Sequence, residues 1–215
     1  MTTQTPLRPI PLFPLGTVLF PGGFLPLRIF EVRYLDMIRK CHKSGEPFGV
    51  VCLTQGSEVR KAGAGVEAFA TIGTLAVIRE LESPQAGLMQ IECSGTQRFR
   101  IHASELQKHG LWTAKVEVIA NDVRMDVPAD LRHVSDALRR VVDTLEERRQ
   151  QQGMPGLRLP ISEPYQFDDC GWVANRWCEL LPAQPELKQR LMELDSPLMR
   201  LELVGDLLAR TGIAK

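Results

Sequence analysis

The sequence has 215 residues, of which 44% are hydrophobic and 24% charged, a composition typical of an ordinary globular protein. Its 26 basic residues balance 26 acidic ones, so no overall field favours nucleic acid, an anionic membrane or an acidic substrate. There is no apolar run of about 18 residues, and prolines interrupt the N-terminus where a signal peptide needs an unbroken apolar region. We therefore expect a cytoplasmic protein without a membrane span.

The segment PLFPLGTVLFPGG (Pro11–Gly23) combines apolar residues with proline and glycine. Arg8 to Pro14 fits RxxPxxP, a pattern that adaptor domains bind as a polyproline helix. Complete burial of a large apolar side chain contributes about 1.5–3 kcal/mol, which favours a buried or edge segment of the fold over an exposed ligand. Prolines suit an edge strand or an irregular segment. The apolar residues concerned are Leu12, Phe13, Leu15, Val18, Leu19 and Phe20.

Residues 7–122 show mainly the period-two pattern of β-strands. We expect a bulge or a close backbone approach at Gly73, and turns at CSGTQ and KHG. The predicted strands are Leu25–Ile29, Phe48–Leu53, Glu67–Leu81, Leu88–Glu92, Arg98–His102 and Trp112–Ile119. One helix over Phe30–Lys43 interrupts them, and its apolar side, formed by Tyr34, Leu35, Ile38 and Cys41, is expected to lie on the sheet.

The pattern becomes helical after Asp122. A long helix is predicted from Pro128 to about Gln152, and three shorter ones near 168–181, 184–194 and 197–211. Asp168-Asp169 and Ser196-Pro197 are typical helix starts. The fold class is therefore α+β, with a β-rich part over residues 1–122 and a helical part over residues 123–215.

The chain carries no recognisable catalytic motif. It lacks GxxxxGK(S/T), SxxK and GxSxG, and the GxGxxA match at Gly63–Ala68 does not lie between a strand and a helix. Glu80 with Glu82 lies at a strand end, and Asp168 with Asp169 is explained by helix capping. The sequence thus predicts no catalytic residue, although an enzyme whose residues converge from distant positions stays open.

Metal, cofactor and nucleic-acid sites are also not indicated. The five cysteines are scattered without a CxxC pair, so we expect reduced, mostly buried thiols and no metal or cofactor. In the strand GTQRFRIH a buried Phe99 between outward-facing Arg98 and Arg100 explains the pattern without RNA stacking. We therefore do not expect nucleic acid as a partner, and an RNA-binding protein is kept as the alternative.

Four blocks of sequence occur together in the order and spacing of a known family. They are PLFPLGTVLFPGGFLPLRIFEVRYLDMI (Pro11–Ile38), FGVV (Phe48–Val51), TIGTLAVIRE (Thr71–Glu80) and GTQRFRI (Gly95–Ile101). The chain resembles the N-terminal substrate-binding domain of Lon-type ATP-dependent proteases. This resemblance implies a PUA-like β-barrel followed by a helical bundle, and a role in recruiting unfolded or tagged polypeptides. Similar domains in cereblon and some ring-finger proteins serve as scaffolds.

The resemblance also indicates what to expect of the protein and its site. Because the sequence ends at Lys215 without ATPase or protease domains, we expect a free-standing, non-catalytic binding protein. The block RIFEVRY is predicted to lie at a strand-to-helix junction, where Glu31 pairs with Arg33 or Arg98 or, alternatively, contributes to the polar rim of a peptide groove. The candidate peptide-binding residues are Leu19, Phe20, Phe24, Arg28, Phe30, Glu31, Arg33 and Tyr34.

Overall fold

The computed structural model describes residues 7–58, 65–153, 159–161 and 163–212. These residues form a mixed helix and strand structure that divides into two compact units. The first unit comprises Met1–Asn121 with Gln184–Gln189, and the second comprises Asp122–Ala183 with Arg190–Lys215. The loop that contains the GxGxxA match lies partly outside the described residues, as does part of the connection between residues 153 and 164.

The first unit consists mainly of strands. They are β1 (Arg8–Leu15), β2 (Phe24–Ile29), β3 (Phe48–Gln55), β4 (Ala68–Phe69), β5 (Ile72–Gln85), β6 (Leu88–Leu106) and β7 (Trp112–Val118). The sheet order is β1-β7-β6-β5-β3-β4, with β2 paired to β6. Because β1 also pairs in parallel with β3, pairing continues from β1 through β7, β6, β5 and β3 back to β1.

The proline-rich β1 is a buried, paired strand, which confirms the expectation of a buried segment of the fold and corrects that of an irregular one. Its first half pairs with β7 over Arg8–Leu12 and its second half with β3 over Leu12–Leu15. Each of the three prolines is paired on one side only, Pro9 and Pro11 with β7 and Pro14 with β3. Proline has no N–H group, and it is tolerated at these positions because no strand on the unpaired side requires a hydrogen-bond donor. Burial of Leu12 and Phe13 rules out the exposed adaptor ligand.

The segment CSGTQ is part of a continuous strand, so the predicted turn is wrong. β6 runs for 19 residues from Leu88 to Leu106. Gly95 was a reason to expect a turn, but glycine is needed here because there is no space for a side chain. A Cβ at this position would lie 2.3 Å from the carbonyl oxygen of Phe20. The glycine therefore lets the Leu19–Phe20 segment pack directly against the strand.

Two predicted features of the β4–β5 region were partly right. The single strand expected over Glu67–Leu81 is broken at Ala70-Thr71, and β5 continues to Gln85. The close approach at Gly73 is confirmed, because a Cβ there would lie 2.4 Å from the Val50 carbonyl oxygen. The register shift falls one step later, between Thr74 and Ala76.

The helix α1 (Val32–Ser44) confirms the predicted helix within two residues at its start. It ends at Gly45, whose φ of 71° is the left-handed conformation that glycine adopts at helix ends, and His42 and Lys43 lie in its last turn. Its predicted apolar residues Tyr34, Leu35, Ile38 and Cys41 are all buried. They form one core with Phe13, Phe48 and residues of β2, β3, β5 and β6.

The second unit contains most of the predicted helices. They are a 3-10 turn at Ala129–Leu131, α2 (Arg132–Gln151), α3 (Cys170–Leu180) and α5 (Pro197–Thr211), while α4 (Pro185–Glu193) has residues in both units. The predicted caps are confirmed, since Asp169 and Ser196 accept hydrogen bonds from the N–H groups of Trp172 and Met199 at 2.8 and 3.2 Å. An isolated β-bridge joins Asp126 and Asp169.

A buried arginine ties α5 to three other segments of this unit. Arg200 has 1% of its surface exposed. Its Nη1 donates to Asp122 Oδ2 at 2.6 Å and to Asn175 Oδ1 at 2.9 Å. Its Nε and Nη2 donate to the carbonyl oxygens of Leu191 and Leu194 at 3.0 and 2.5 Å. The arginine thus joins the start of the unit, α3, the end of α4 and α5.

All five cysteines are free and buried, so the expected burial of the thiols is confirmed. Burial raises the pKa of the Cys93 thiol to about 12, so this group is protonated near neutral pH. None of the described helices has the length and hydropathy that crossing a bilayer requires.

Candidate functional site

The eight candidate peptide-binding residues divide into a buried and a surface group. Four are buried and form part of the fold, whereas Phe30 and Arg28 are exposed and Phe24 and Glu31 partly exposed. The buried side chains offer no surface to a ligand in this structure. They are Leu19, Phe20, Arg33 and Tyr34.

Leu19 and Phe20 are buried because the segment between β1 and β2 is held against the sheet. The hydroxyl of Thr74 donates to the Leu19 carbonyl oxygen at 2.6 Å. Gly22, with a φ of 73°, allows a tight turn in which the Gly23 N–H donates to the Phe20 carbonyl oxygen at 2.9 Å. Both side chains therefore contribute to stability of the fold.

Arg33 is the centre of a network at the start of α1. Its Nε donates to Glu31 Oε2 at 3.1 Å and its Nη1 to the Gly110 carbonyl oxygen at 2.8 Å. Its Nη2 lies 3.6 Å from Glu67 Oε1, while the other oxygen of Glu67 accepts from the indole N–H of Trp112 at 2.8 Å. Of the two partners expected for Glu31, the structure selects Arg33. The network joins α1 to the turn before β7.

Tyr34 lies on the inner side of the same helix. Its ring stacks on Phe13 with centroids 3.9 Å apart, and the Arg33 guanidinium lies 4.5 Å from the ring centroid. Burial raises the pKa of its phenol well above the ordinary value, so the side chain is neutral. Within the RIFEVRY block, Arg33 and Tyr34 are thus explained by their roles in holding α1 in place.

We expect Arg33→Ala to lower the free energy of unfolding by about 2–3 kcal/mol, because it removes the side chain that donates to the buried Gly110 carbonyl oxygen and pairs with Glu31 and Glu67. Chemical denaturation of the full chain measures this change. Arg39→Ala is the matched control, since Arg39 lies on the same helix and its pair with Asp36 is exposed. Equal stability of the two variants would contradict a structural role for Arg33.

Three residues of the surface group, Phe24, Arg28 and Phe30, lie along one side of β2 and its C-terminal end. Leu25, Leu27 and Ile29 pack toward the core, so the alternate side chains of Phe24, Pro26 and Arg28 point to the other face of the strand. Phe30 follows at the next position of this alternation, and 56% of its surface is exposed. These four residues are called the β2 lane below.

Carboxylates from two neighbouring strands lie beside the β2 lane. The strand registers place Pro26, Glu92 and Glu80 side by side, and Arg28, Gln90 and Glu82 in the next row. Glu80, Glu82 and Glu92 are called the acidic lane. Pro26 and Arg28 of the β2 lane and the three carboxylates of the acidic lane line a groove of about 430 Å³. The two lanes together are called the β2 face. The sequence alone gave no sign of this arrangement, because only the register of β6 with its two neighbours brings the lanes together.

A second groove, of about 470 Å³, runs beside α1. Val32, Met37 and Lys40 of the helix line one wall, and Leu111 and Pro11 line the opposite wall. Val32 is 73% exposed, so this groove also presents apolar surface. The two grooves lie near the β2–α1 junction, which is the region that the sequence selected.

Open grooves with apolar and charged lining are typical of a domain that binds a partner. Comparison with known proteins assigns the family: the model of the ATP-dependent protease La (LON) substrate-binding domain matches residues 9–210, and the chain belongs to this family. The match confirms the resemblance inferred from the four sequence blocks.

Individual relatives agree with this assignment. The Lon protease of Paraburkholderia phytofirmans is 27% identical over 214 residues, which are 97% of this chain and 25% of the protease. Cereblon of Danio rerio is 29% identical over 121 residues, 54% of this chain and 27% of cereblon. The crystal structure of a Lon N-terminal domain protein from Xanthomonas campestris is similar with a TM-score of 0.70 and 27% identity, covering 92% of this chain and 96% of that one. The chain thus spans about a quarter of the length of these curated relatives.

Proposed function

We propose that this protein is a non-catalytic substrate-recognition module of the cytoplasm that binds unfolded or tagged polypeptides, or a protein partner, on the β2 face. The observation that carries the proposal is the match of residues 9–210 to a substrate-binding domain. We also propose that residues 1–122 form the PUA-like barrel of this family, closed by the pairing of β1 with β3, and that residues 123–215 form its helical subdomain.

The geometry of the β2 lane suits an extended chain. In extended backbone the six steps from Phe24 to Phe30 span about 20 Å, the length of about six residues of a bound polypeptide. An aromatic side chain lies at each end, where its apolar surface contributes to binding. Arg28 between them supplies hydrogen-bond donors for backbone carbonyls of a ligand.

The RNA-binding alternative is not supported by the charges of the described surface. Arg98, one of the two arginines that suggested a stacking strand, is 5% exposed and buried in the sheet. The acidic lane repels phosphate groups from the groove that contains Arg28. We therefore favour a polypeptide ligand.

The proposal predicts that the full chain binds a permanently unfolded protein, such as reduced and alkylated α-lactalbumin. We expect Phe24→Asp and Phe30→Asp each to weaken binding about 30-fold, which corresponds to about 2 kcal/mol for an aromatic contact. Fluorescence anisotropy measures the affinity, and thermal unfolding checks that each variant is folded.

Two control variants decide where binding occurs. Val123→Asp changes an exposed apolar residue of the second unit and is expected to leave the affinity unchanged. Val32→Asp alters the groove beside α1. If Val32→Asp abolishes binding and the phenylalanine variants do not, the α1 groove is the site. If the wild-type chain binds no polypeptide, the proposed function is wrong.

A further inference from the structure

We propose that the β2 face selects extended polypeptide segments in which apolar residues alternate with lysine or arginine. This inference rests on the proposed function and specifies the class of polypeptide that the same site takes. It follows from three features of the first unit: the chemical difference between the two lanes, the distance between them and the balance of charge on the face.

The two lanes offer different chemistry to a ligand. The β2 lane presents Phe24, Pro26 and Phe30 with a single charged residue, Arg28. The acidic lane on β5 and β6 presents three carboxylates. A ligand that contacts both lanes must therefore place apolar groups on one side of its backbone and cationic groups on the other.

The spacing of the lanes matches an extended backbone. β6 lies between β2 and the part of β5 that contributes Glu80 and Glu82. Adjacent strands are about 4.8 Å apart, so the outer strands are separated by about 10 Å. A segment that lies over β6 directs successive side chains to opposite sides, toward β2 and toward β5. Its residues must then be apolar and basic in turn.

The charges on the face favour a cationic partner. Glu80 and Glu92 lie directly opposite each other on paired strands, an arrangement that is unfavourable for like charges. The groove is lined by three carboxylates, those of Glu80, Glu82 and Glu92, and by the guanidinium group of Arg28. A cationic side chain of a ligand that lies in the groove is therefore attracted to its acidic side.

Three capped eight-residue peptides test the inference with the full chain. In each, leucine alternates with a second residue, which is lysine, glutamine or glutamate. We expect the lysine peptide to bind at least about tenfold more tightly than the glutamine peptide, and the glutamate peptide to bind most weakly. Raising the salt concentration is expected to reduce the preference for lysine, because Glu80 and Glu82 are exposed to solvent.

A double variant assigns the preference to the acidic lane. Glu80→Gln combined with Glu92→Gln is expected to weaken the lysine peptide about tenfold and to leave the glutamine peptide unchanged. Glu105→Gln is the matched control, because Glu105 is an exposed carboxylate at the far end of β6. An equal loss for both peptides in the double variant overturns the assignment.

The outcomes separate this inference from the proposed function. If the chain binds the unfolded model protein but shows no preference for the lysine peptide, or does not bind that peptide, the inference is wrong and the binding function stands. If neither the unfolded protein nor any peptide binds, the function and the inference both fail.

Discussion

Replacing Arg200 with alanine is expected to lower the free energy of unfolding of the second unit by about 3–5 kcal/mol, the loss typical of breaking a buried ion pair. The substitution removes a guanidinium group that donates to Asp122, to the amide oxygen of Asn175 and to two carbonyl oxygens. These acceptor oxygens stay shielded from water but lose the hydrogen bonds that compensate for their desolvation. Urea denaturation followed by far-ultraviolet circular dichroism measures the change.

Two further variants show whether the geometry of the guanidinium group matters. Arg200→Lys keeps the charge but has a single nitrogen, so we expect it to recover less than half of the lost stability. Arg210→Ala removes an exposed arginine in the last turn of the same helix and is expected to cost less than about 0.5 kcal/mol. A loss for Arg200→Ala as small as that for Arg210→Ala would contradict the role of the network.

The sequence predicted the helices well, because the period of apolar residues and the caps are local signals. Asp169 and Ser196 are examples in which a short side chain before an apolar run marks the start of a helix. The Arg200 network was beyond such reasoning. Its acceptors come from residues 122, 175, 191 and 194, and no local pattern indicates that they meet.

The strands illustrate a second limit of local patterns. Most were located correctly, but CSGTQ was interpreted as a turn and β1 as an edge or irregular segment. In both cases glycine or proline is tolerated because of what lies beside the strand: the Phe20 carbonyl approaches Gly95, and β1 is paired along alternate sides. These long-range contacts are invisible in composition alone.

The candidate residues selected from the sequence have two different kinds of surroundings in the structure. RIFEVRY contains residues that hold α1 in place, Arg33 and Tyr34, next to residues that face solvent, Arg28 and Phe30. Side chains alternate between the two faces of β2, so buried and exposed residues can be told apart only when it is known which face packs on the core. The acidic lane was missed because it arises from strand pairing.

The relation between the buried and exposed groups suggests how the fold supports binding. Arg33 joins the start of α1 to Gly110 and Glu67, and the buried residues of α1 pack beneath β2. The β2 lane therefore lies on a strand whose other face packs in the same core as α1. A preorganised surface loses less conformational entropy when a flexible polypeptide binds.

Gly95→Ala is expected to destabilise the first unit by about 2–3 kcal/mol, the cost of inserting a methyl group where neighbouring atoms cannot move apart easily. The new Cβ would lie 2.3 Å from the Phe20 carbonyl oxygen and 3.0 Å from Leu19 Cγ. Relief requires β6 to separate from the Leu19–Phe20 segment. That movement would strain the hydrogen bonds that join Gly95 to Gly22 and Gly23 at 2.9 Å.

Gly65→Ala is the matched control, because no atom of the residues that the structure describes lies within 4 Å of its added Cβ and its φ is not in the left-handed region. We expect this variant to have unchanged or slightly raised stability, since alanine restricts the unfolded chain. Urea denaturation of both variants measures the difference, and similar midpoints would show that the approach at Gly95 is not tight. Because Gly95 lies one residue beyond Ser94, the partner of Phe24, a shift of β6 also moves the β2 lane. Gly95→Ala should therefore weaken polypeptide binding as well, which ties the packing of the N-terminal segment to the function proposed for the face.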